Sequence, residues 1–183
     1  MRRLLVAGLA AGLFLAAFVG AGARRQDSGA RARELAAYFN KDKHKVKQKR
    51  GVRLEVFLEM RGEPAALPDA AEYTGAYESE PGYPFELRVA ADGAAEGRGA
   101  EPSAGGARRF TLRGARVSGA VLTGTKVYED GGTERIEAVF INLTARHAPG
   151  EAGTKSFGLG VVYDPPKAGD GYVISRLFYA RKR

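Results

Sequence analysis

Phe85-Glu-Leu-Arg-Val-Ala-Ala-Asp-Gly93 is the stretch on which the fold turns. Phe85, Leu87 and Val89 alternate with Glu86 and Arg88, and a period of two places the apolar residues on one face of a half-buried strand. Asp92-Gly93 then supplies a hairpin turn, because glycine tolerates the positive φ that such turns need. The same grammar continues on both sides. Tyr73 and Tyr77 flank Gly75 upstream. Downstream, Ala100 to Ala107 reads as a Pro/Ser/Gly-rich loop, and Phe110 and Leu112 alternate again. Val117 to Tyr128 and Glu134 to Thr144 read as a long hairpin joined by Glu129-Asp-Gly-Gly132. Lys155 to Tyr163, a turn through Asp164-Pro-Pro166 and Gly169-Asp-Gly171, and Tyr172 to Ala180 complete the set.

Short strands at regular spacing, with no long amphipathic helix among them, predict an all-antiparallel barrel, with a β-sandwich as the alternative. Gly119, Gly124, Gly158 and Gly160 fall inside these strands, where glycine marks bulges and sharp bends. That favours a closed, strongly coiled small barrel over a sandwich.

Upstream of the barrel strands, Val52, Leu54, Val56, Leu58 and Met60 lie on one side of an alternating run, opposite Arg53, Glu55, Phe57 and Glu59. The period predicts a strand; a helix continuing from the preceding segment is the alternative, since Glu, Leu and Met are good helix formers. Gly62, Pro64 and Pro68 mark a linker after it. Ser28 to Asn40 reads as a short amphipathic helix capped by Asp27 or Ser28, with Leu35, Phe39 and Tyr38 as its apolar stripe. Between helix and strand lies Lys41-Asp-Lys-His-Lys-Val-Lys-Gln-Lys-Arg50, with lysine at every second position. A helix would scatter these charges all round; a strand would gather them on one face.

The first segment carries an address. Arg2 and Arg3 precede an uncharged run from Leu4 to Ala23, which ends in Ala21-Gly22-Ala23. A positive start, an apolar middle and a small-residue exit make a Sec-type secretory signal, with cleavage expected after Ala23 and a periplasmic or secreted product. Retention as an N-terminal membrane anchor is the alternative, since about 20 apolar residues can also cross a bilayer. The expected organisation is therefore a signal peptide over 1–23, a basic helical arm over 24–51 and an antiparallel β domain over 52–183.

The chain has no cysteine, so stability must come from packing even in an oxidising compartment. Its net charge of +8 is unevenly placed. Between Arg24 and Arg53, 11 Lys/Arg stand against Asp27, Glu34 and Asp42, while the body from Leu54 onward is close to neutral. The basic character belongs to the arm.

Tyr73-Thr-Gly-Ala-Tyr77, followed by Phe85-Glu-Leu-Arg-Val89 and Asp92-Gly93, resembles the opening of small exported bacterial β-domains of lipocalin-like (calycin-like) pattern. That resemblance covers about 25 residues and implies an up-and-down barrel with a small apolar ligand in its mouth. It brings no set of functional residues. The Lys/His/Arg arm has no counterpart in a plain lipocalin.

No catalytic constellation is present in the sequence. No G-x-S-x-G occurs, and the phosphate-loop-like Gly158-Leu-Gly160 precedes a strand, not the helix such a loop needs. His44 and His147 are the only imidazoles, too few with no cysteine to build a transition-metal site. No cofactor is expected. Glu55 with Glu59, and Glu134 with Glu137, are available as carboxylate pairs for a hydrolase, although charged residues more often form a solvated face. The tyrosines Tyr73, Tyr77, Tyr83 and Tyr128 are candidates for a ligand mouth, an apolar ring with a polar tip suiting that place.

The basic stretch Lys41, Lys43, Lys45, Lys47, Lys49, Arg50 and Arg53 suits an anionic membrane surface or an anionic envelope polymer. Nucleic acid would match the charge, but export makes it a poor partner. The sequence thus points to a non-enzymatic exported barrel module that binds an envelope component through its arm. A lipocalin-like carrier of a small apolar ligand and a hydrolase with strand carboxylates are the alternatives.

Overall fold

The computed structural model describes residues 28–49, 51–163 and 176–182. The signal segment, Arg50, and the turn expected through Asp164 to Gly171 lie outside the described residues, as does the start of the last expected strand.

A helix, α1, spans 28–37. Ten strands follow: β1 Lys41–Lys49, β2 Val52–Pro64, β3 Gly75–Ser79, β4 Pro84–Val89, β5 Ala94–Ser103, β6 Gly106–Ser118, β7 Val121–Tyr128, β8 Thr133–Arg146, β9 Thr154–Val162 and β10 Arg176–Arg181. A short 3-10 turn, Ala70–Tyr73, enters β3. The neighbour order is β1-β2-β8-β7-β6-β5-β4-β3-β10-β9, and β9 also pairs with β8. That last pairing closes β3 to β10 into an antiparallel barrel of eight strands. The barrel rather than the sandwich is the architecture, and no edge of the eight is left open.

β8 makes the closure and more. Its first half pairs with β7, from Thr133↔Val127 to Val139↔Val121. Past that point the same edge is free, and β2 takes it, from Ile141↔Pro64 to Arg146↔Glu59. Among the described residues, those of β2 before Glu59 have only β1 as a partner, in a hairpin running from Lys41↔Met60 to Lys49↔Val52. This two-stranded ribbon projects beyond the barrel end that carries the β4–β5, β6–β7 and β8–β9 turns.

The basic arm is therefore helical only over 28–37; the lysine run is strand β1, and the boundary expected at 51/52 falls inside the β1–β2 hairpin. The expected linker also moves, since β2 continues through Gly62 to Pro64 on the β8 edge. The expected strand Val117–Tyr128 is broken: Val117 and Ser118 end β6, and Gly119 at φ +58° turns the chain into β7. An L side chain is strained at that φ, which is why the turn falls on the glycine. The expected loop Ala100–Ala107 is largely the β5–β6 hairpin, with only Ala104 and Gly105 between the strands.

Strand alternation sorts side chains into two cores. On β4, Phe85, Leu87 and Val89 point inward as the period predicts. On β8, Ile136, Ala138 and Phe140 join the interior while Val139, Ile141 and Leu143 point outward. The outward row is covered by α1 through Ala32, Leu35 and Ala36, at the helical spacing of one face, and by Phe39 in the turn that follows the helix. Tyr38 is not part of that stripe, being 52% exposed.

The interior is filled with rings. Tyr73 stacks on Phe140 at 4.0 Å, and Phe85 lies 5.5 Å from Tyr179 and 5.9 Å from Phe110. Tyr73, Tyr77, Phe85, Phe140 and Tyr179 are all fully buried.

Candidate functional site

The lysine run becomes a surface through its register. In an antiparallel pair, directly opposed residues share a face. In the register Lys41, Lys43, Lys45 and Lys47 oppose Met60, Leu58, Val56 and Leu54, so the row of lysines runs beside the apolar Met60, Leu58 and Val56. The lysines repeat about every 6.8 Å along β1. The other face carries Asp42, His44, Val46 and Gln48 against Glu59, Phe57, Glu55 and Arg53.

Electrostatics divide the two faces sharply. On the second face nearly every charge has a partner. Asp42 meets Arg61 at 2.9 Å, Glu59 meets Arg61 at 3.3 Å and Arg146 at 3.4 Å, and Glu55 meets His44 at 2.6 Å and Arg53 at 3.7 Å. The Glu55 carboxyl is held below its ordinary range, chiefly by the hydrogen bond from His44. On the first face, Lys41, Lys43, Lys45 and Lys47 are exposed, and none makes an ion pair among the described residues.

Of the seven basic residues singled out in the sequence, these four share one face. Arg53 lies on the opposite face with Glu55, and Arg50 and the Lys49 side chain lie outside the described residues.

The candidate mouth tyrosines lie elsewhere. Tyr73, Tyr77 and Tyr128 are packed inside the barrel with their hydroxyls engaged internally, although Tyr73 and Tyr128 each also border a surface cleft. Tyr73 donates to Ala65 O at 2.8 Å and accepts from Leu67 N, and Tyr77 donates to Tyr73 O at 2.5 Å. Burial pushes the Tyr77 phenol up to about 12. Tyr83 is half-buried, its backbone N–H donating to Ser79 Oγ at 3.1 Å.

Toward the barrel end opposite the ribbon, the interior holds a polar cluster that the sequence reading missed. Glu101, 6% exposed, receives Lys126 Nζ at 2.5 Å, the Tyr128 hydroxyl at 2.5 Å and the Tyr163 hydroxyl at 2.7 Å. The Tyr128 hydroxyl also meets Glu134. Lys126 Nζ stands 4.6 Å from the Tyr163 ring centre and 5.1 Å from that of Phe110, so aromatic faces complete its surroundings. Burial works to raise the Glu101 carboxyl, but the Lys126 charge and the three hydrogen bonds outweigh it and hold the group below its ordinary range. The Tyr163 phenol is pushed far up, first by burial and then by the Glu101 charge.

A carboxylate with three donors and an ammonium wrapped in rings satisfies itself. Removing one donor exposes how much each contributes. Tyr163→Phe is expected to lower stability by about 1.5–3 kcal/mol, the usual range for a hydrogen bond to a charged group, read as a lower urea midpoint.

One sequence signal for this cluster existed: Lys126 stands at an inward position between Leu122 and Tyr128 on the alternating β7 run. Glu101 carried no such signal, because Ala100–Ala107 read as a loop.

The carboxylates available for hydrolysis are committed to cations or to a phenol. Glu55 and Glu59 are paired as above, Glu134 meets Tyr128, and Glu137 is gripped by Arg31, whose Nε donates at 2.8 Å. That hydrogen bond from Arg31 leads in holding the Glu137 carboxyl below its ordinary range. His44 sits on the ribbon, and His147 lies in the β8–β9 turn, where its backbone N–H donates to Glu151 at 2.7 Å.

Comparison with family models, with curated proteins and with solved structures returned no match to the chain.

Proposed function

We propose that this chain is an exported, non-enzymatic barrel module that attaches to an anionic component of the cell envelope through Lys41, Lys43, Lys45 and Lys47. One observation carries the reading: four exposed lysines share a ribbon face with no acid paired to them among the described residues, while the opposite face of the same ribbon is laced with ion pairs. Cations left without internal partners are available to an external anion. Each basic residue beside an anionic surface contributes about 1 kcal/mol, falling with salt.

The address supports the same partner class. Arg2 and Arg3, the apolar run and Ala21-Gly22-Ala23 direct the body across the membrane, where nucleic acid is scarce and anionic lipids and polymers are abundant. The interior supports the ribbon over a ligand mouth, since Phe85, Phe110, Phe140 and Tyr179 occupy the space a small apolar ligand would need.

The test is binding of the processed protein to envelope fragments at physiological salt. Replacing Lys41, Lys43, Lys45 and Lys47 together by Gln is expected to weaken binding at least about tenfold, a loss of roughly 1.4 kcal/mol or more. The native protein should also detach as salt rises. Unchanged binding by the variant ends this reading.

A further inference from the structure

Resting on that reading, we infer that the partner of the ribbon is an anionic phospholipid bilayer, entered by the apolar row that lies beside the lysines. A soluble polyanion presents charge and no apolar phase. A surface built for it has no use for Leu58, Val56 and Val52 on the face that carries the cations. The register places Lys43 against Leu58, Lys45 against Val56 and Lys47 against Leu54, and Val52 at the tip is 67% exposed.

An interface that is anionic outside and apolar within matches both rows at once. Lysine keeps its ammonium at the headgroup level while its alkyl stem follows the neighbouring apolar residue inward. On the opposite face the cations Arg61, Arg146, Arg53 and His44 are already engaged by Asp42, Glu55 and Glu59, so that face offers little to an anionic surface and the ribbon has one binding side.

The fold also sets the approach. α1 sits on the lysine side at the base of the ribbon: a Cβ on Gly62 would meet Ala36 O and the Phe39 Cβ at 3.1 Å, and Met60 packs into the helix cluster. The helix keeps the base of the ribbon off a flat surface. Contact therefore begins at the tip, with Val52 and Val56 foremost and Lys45 and Lys47 beside them.

The decisive experiment uses the chain from residue 24 onward, which holds every described element. Its probes are phosphatidylglycerol/phosphatidylcholine vesicles, pure phosphatidylcholine vesicles and inorganic polyphosphate. The paired substitution Val52→Ser and Val56→Ser is expected to weaken binding to the anionic vesicles at least about tenfold, the effect of withholding one valine side chain from burial. Polyphosphate binding should stay within about twofold, because the substitution leaves every charge in place. The sequence has no tryptophan, so Val52→Trp gives a single reporter. Its emission should shift to the blue on anionic vesicles and not on polyphosphate.

Native binding to polyphosphate with none to vesicles overturns the inference. So does vesicle binding that ignores the serine pair and leaves the Trp emission unmoved. If the four-lysine variant fails on every probe in those cases, the charge-based reading stands without the bilayer. Equal binding to neutral vesicles removes the anionic requirement. A four-lysine variant that binds all probes like the native protein but self-associates would show that the lysines only guard the β1 edge, and both readings would fall.

Discussion

Lys126→Met is expected to lower the unfolding free energy by about 3–5 kcal/mol, the range for removing one partner of a buried ion pair. Lys126 is 1% exposed and its partner Glu101 is 6% exposed, so neither charge can turn to water when the other is lost. Methionine fits the alkyl path of lysine between the Phe110 and Tyr163 rings, so the loss reports the stranded carboxylate and not a cavity. The control is Lys126→Met combined with Glu101→Gln. The uncharged amide keeps an acceptor for one of the two phenols and turns an N–H toward the other, whose hydroxyl can accept it, so most of the loss should return. Urea unfolding of the four members of this cycle isolates the pair. A single variant as stable as the native protein would mean that water reaches the cluster.

The same pair gives stability a pH dependence of fixed sign. Glu101 is held below its ordinary range in the folded protein, so the unfolded chain takes up its proton first as pH falls. The stabilisation is complete above the ordinary carboxylate range and drains away as pH drops through the folded value. The Glu101→Gln variant should show a flatter profile across that acid window. Equal slopes for variant and native protein would remove Glu101 as the source.

How far the sequence revealed this architecture depended on whether a signal was local. Phe85, Leu87 and Val89 faced inward because a period of two along one strand needs no partner to be read. Most of the barrel strands, α1 and the Asp92-Gly93 turn followed from such local rules; β5 did not, because its second half read as a loop. The in-strand glycines favoured the barrel over the sandwich, but closure rests on β3 meeting β10, a pairing of Ser79 with Tyr179 that no local pattern announces.

The ribbon shows the same division. Both of its rows were visible, lysines at alternate positions from Lys41 and apolar residues at alternate positions from Val52, yet they read as an arm and a domain strand. Gly51, with a positive φ of 80°, folds one onto the other, and two equal period-two runs about such a residue were the available clue. The Glu101–Lys126 cluster was less legible still. Its members come from β5, β7 and the end of β9, and only a closed barrel brings them together.

The helix that caps the outer face tests the architecture through one contact. Phe39, 2% exposed, seats its ring on Gly160 of β9, where a Cβ would lie 2.6 Å from two ring carbons. It also meets Phe178 edge-on at 6.3 Å. Phe39→Ala is expected to cost about 3–5 kcal/mol, since the ring leaves a cavity that α1 and the barrel wall close only in part. Gly160→Ala in the native background should cost about 1–3 kcal/mol, because the methyl meets a ring fixed from both sides. In the Phe39→Ala background the same methyl enters vacated space and should be close to neutral. The two changes are therefore non-additive, and calorimetric midpoints of the four proteins measure by how much. Additive losses would show that the Phe39 ring and Gly160 do not meet in solution. Because Asn40 Oδ1 accepts from Gly62 N at 2.9 Å, the helix end is tied to the base of the ribbon. Undocking Phe39 should then loosen the angle at which the lysine face is presented, weakening attachment to anionic vesicles even though no lysine has been changed.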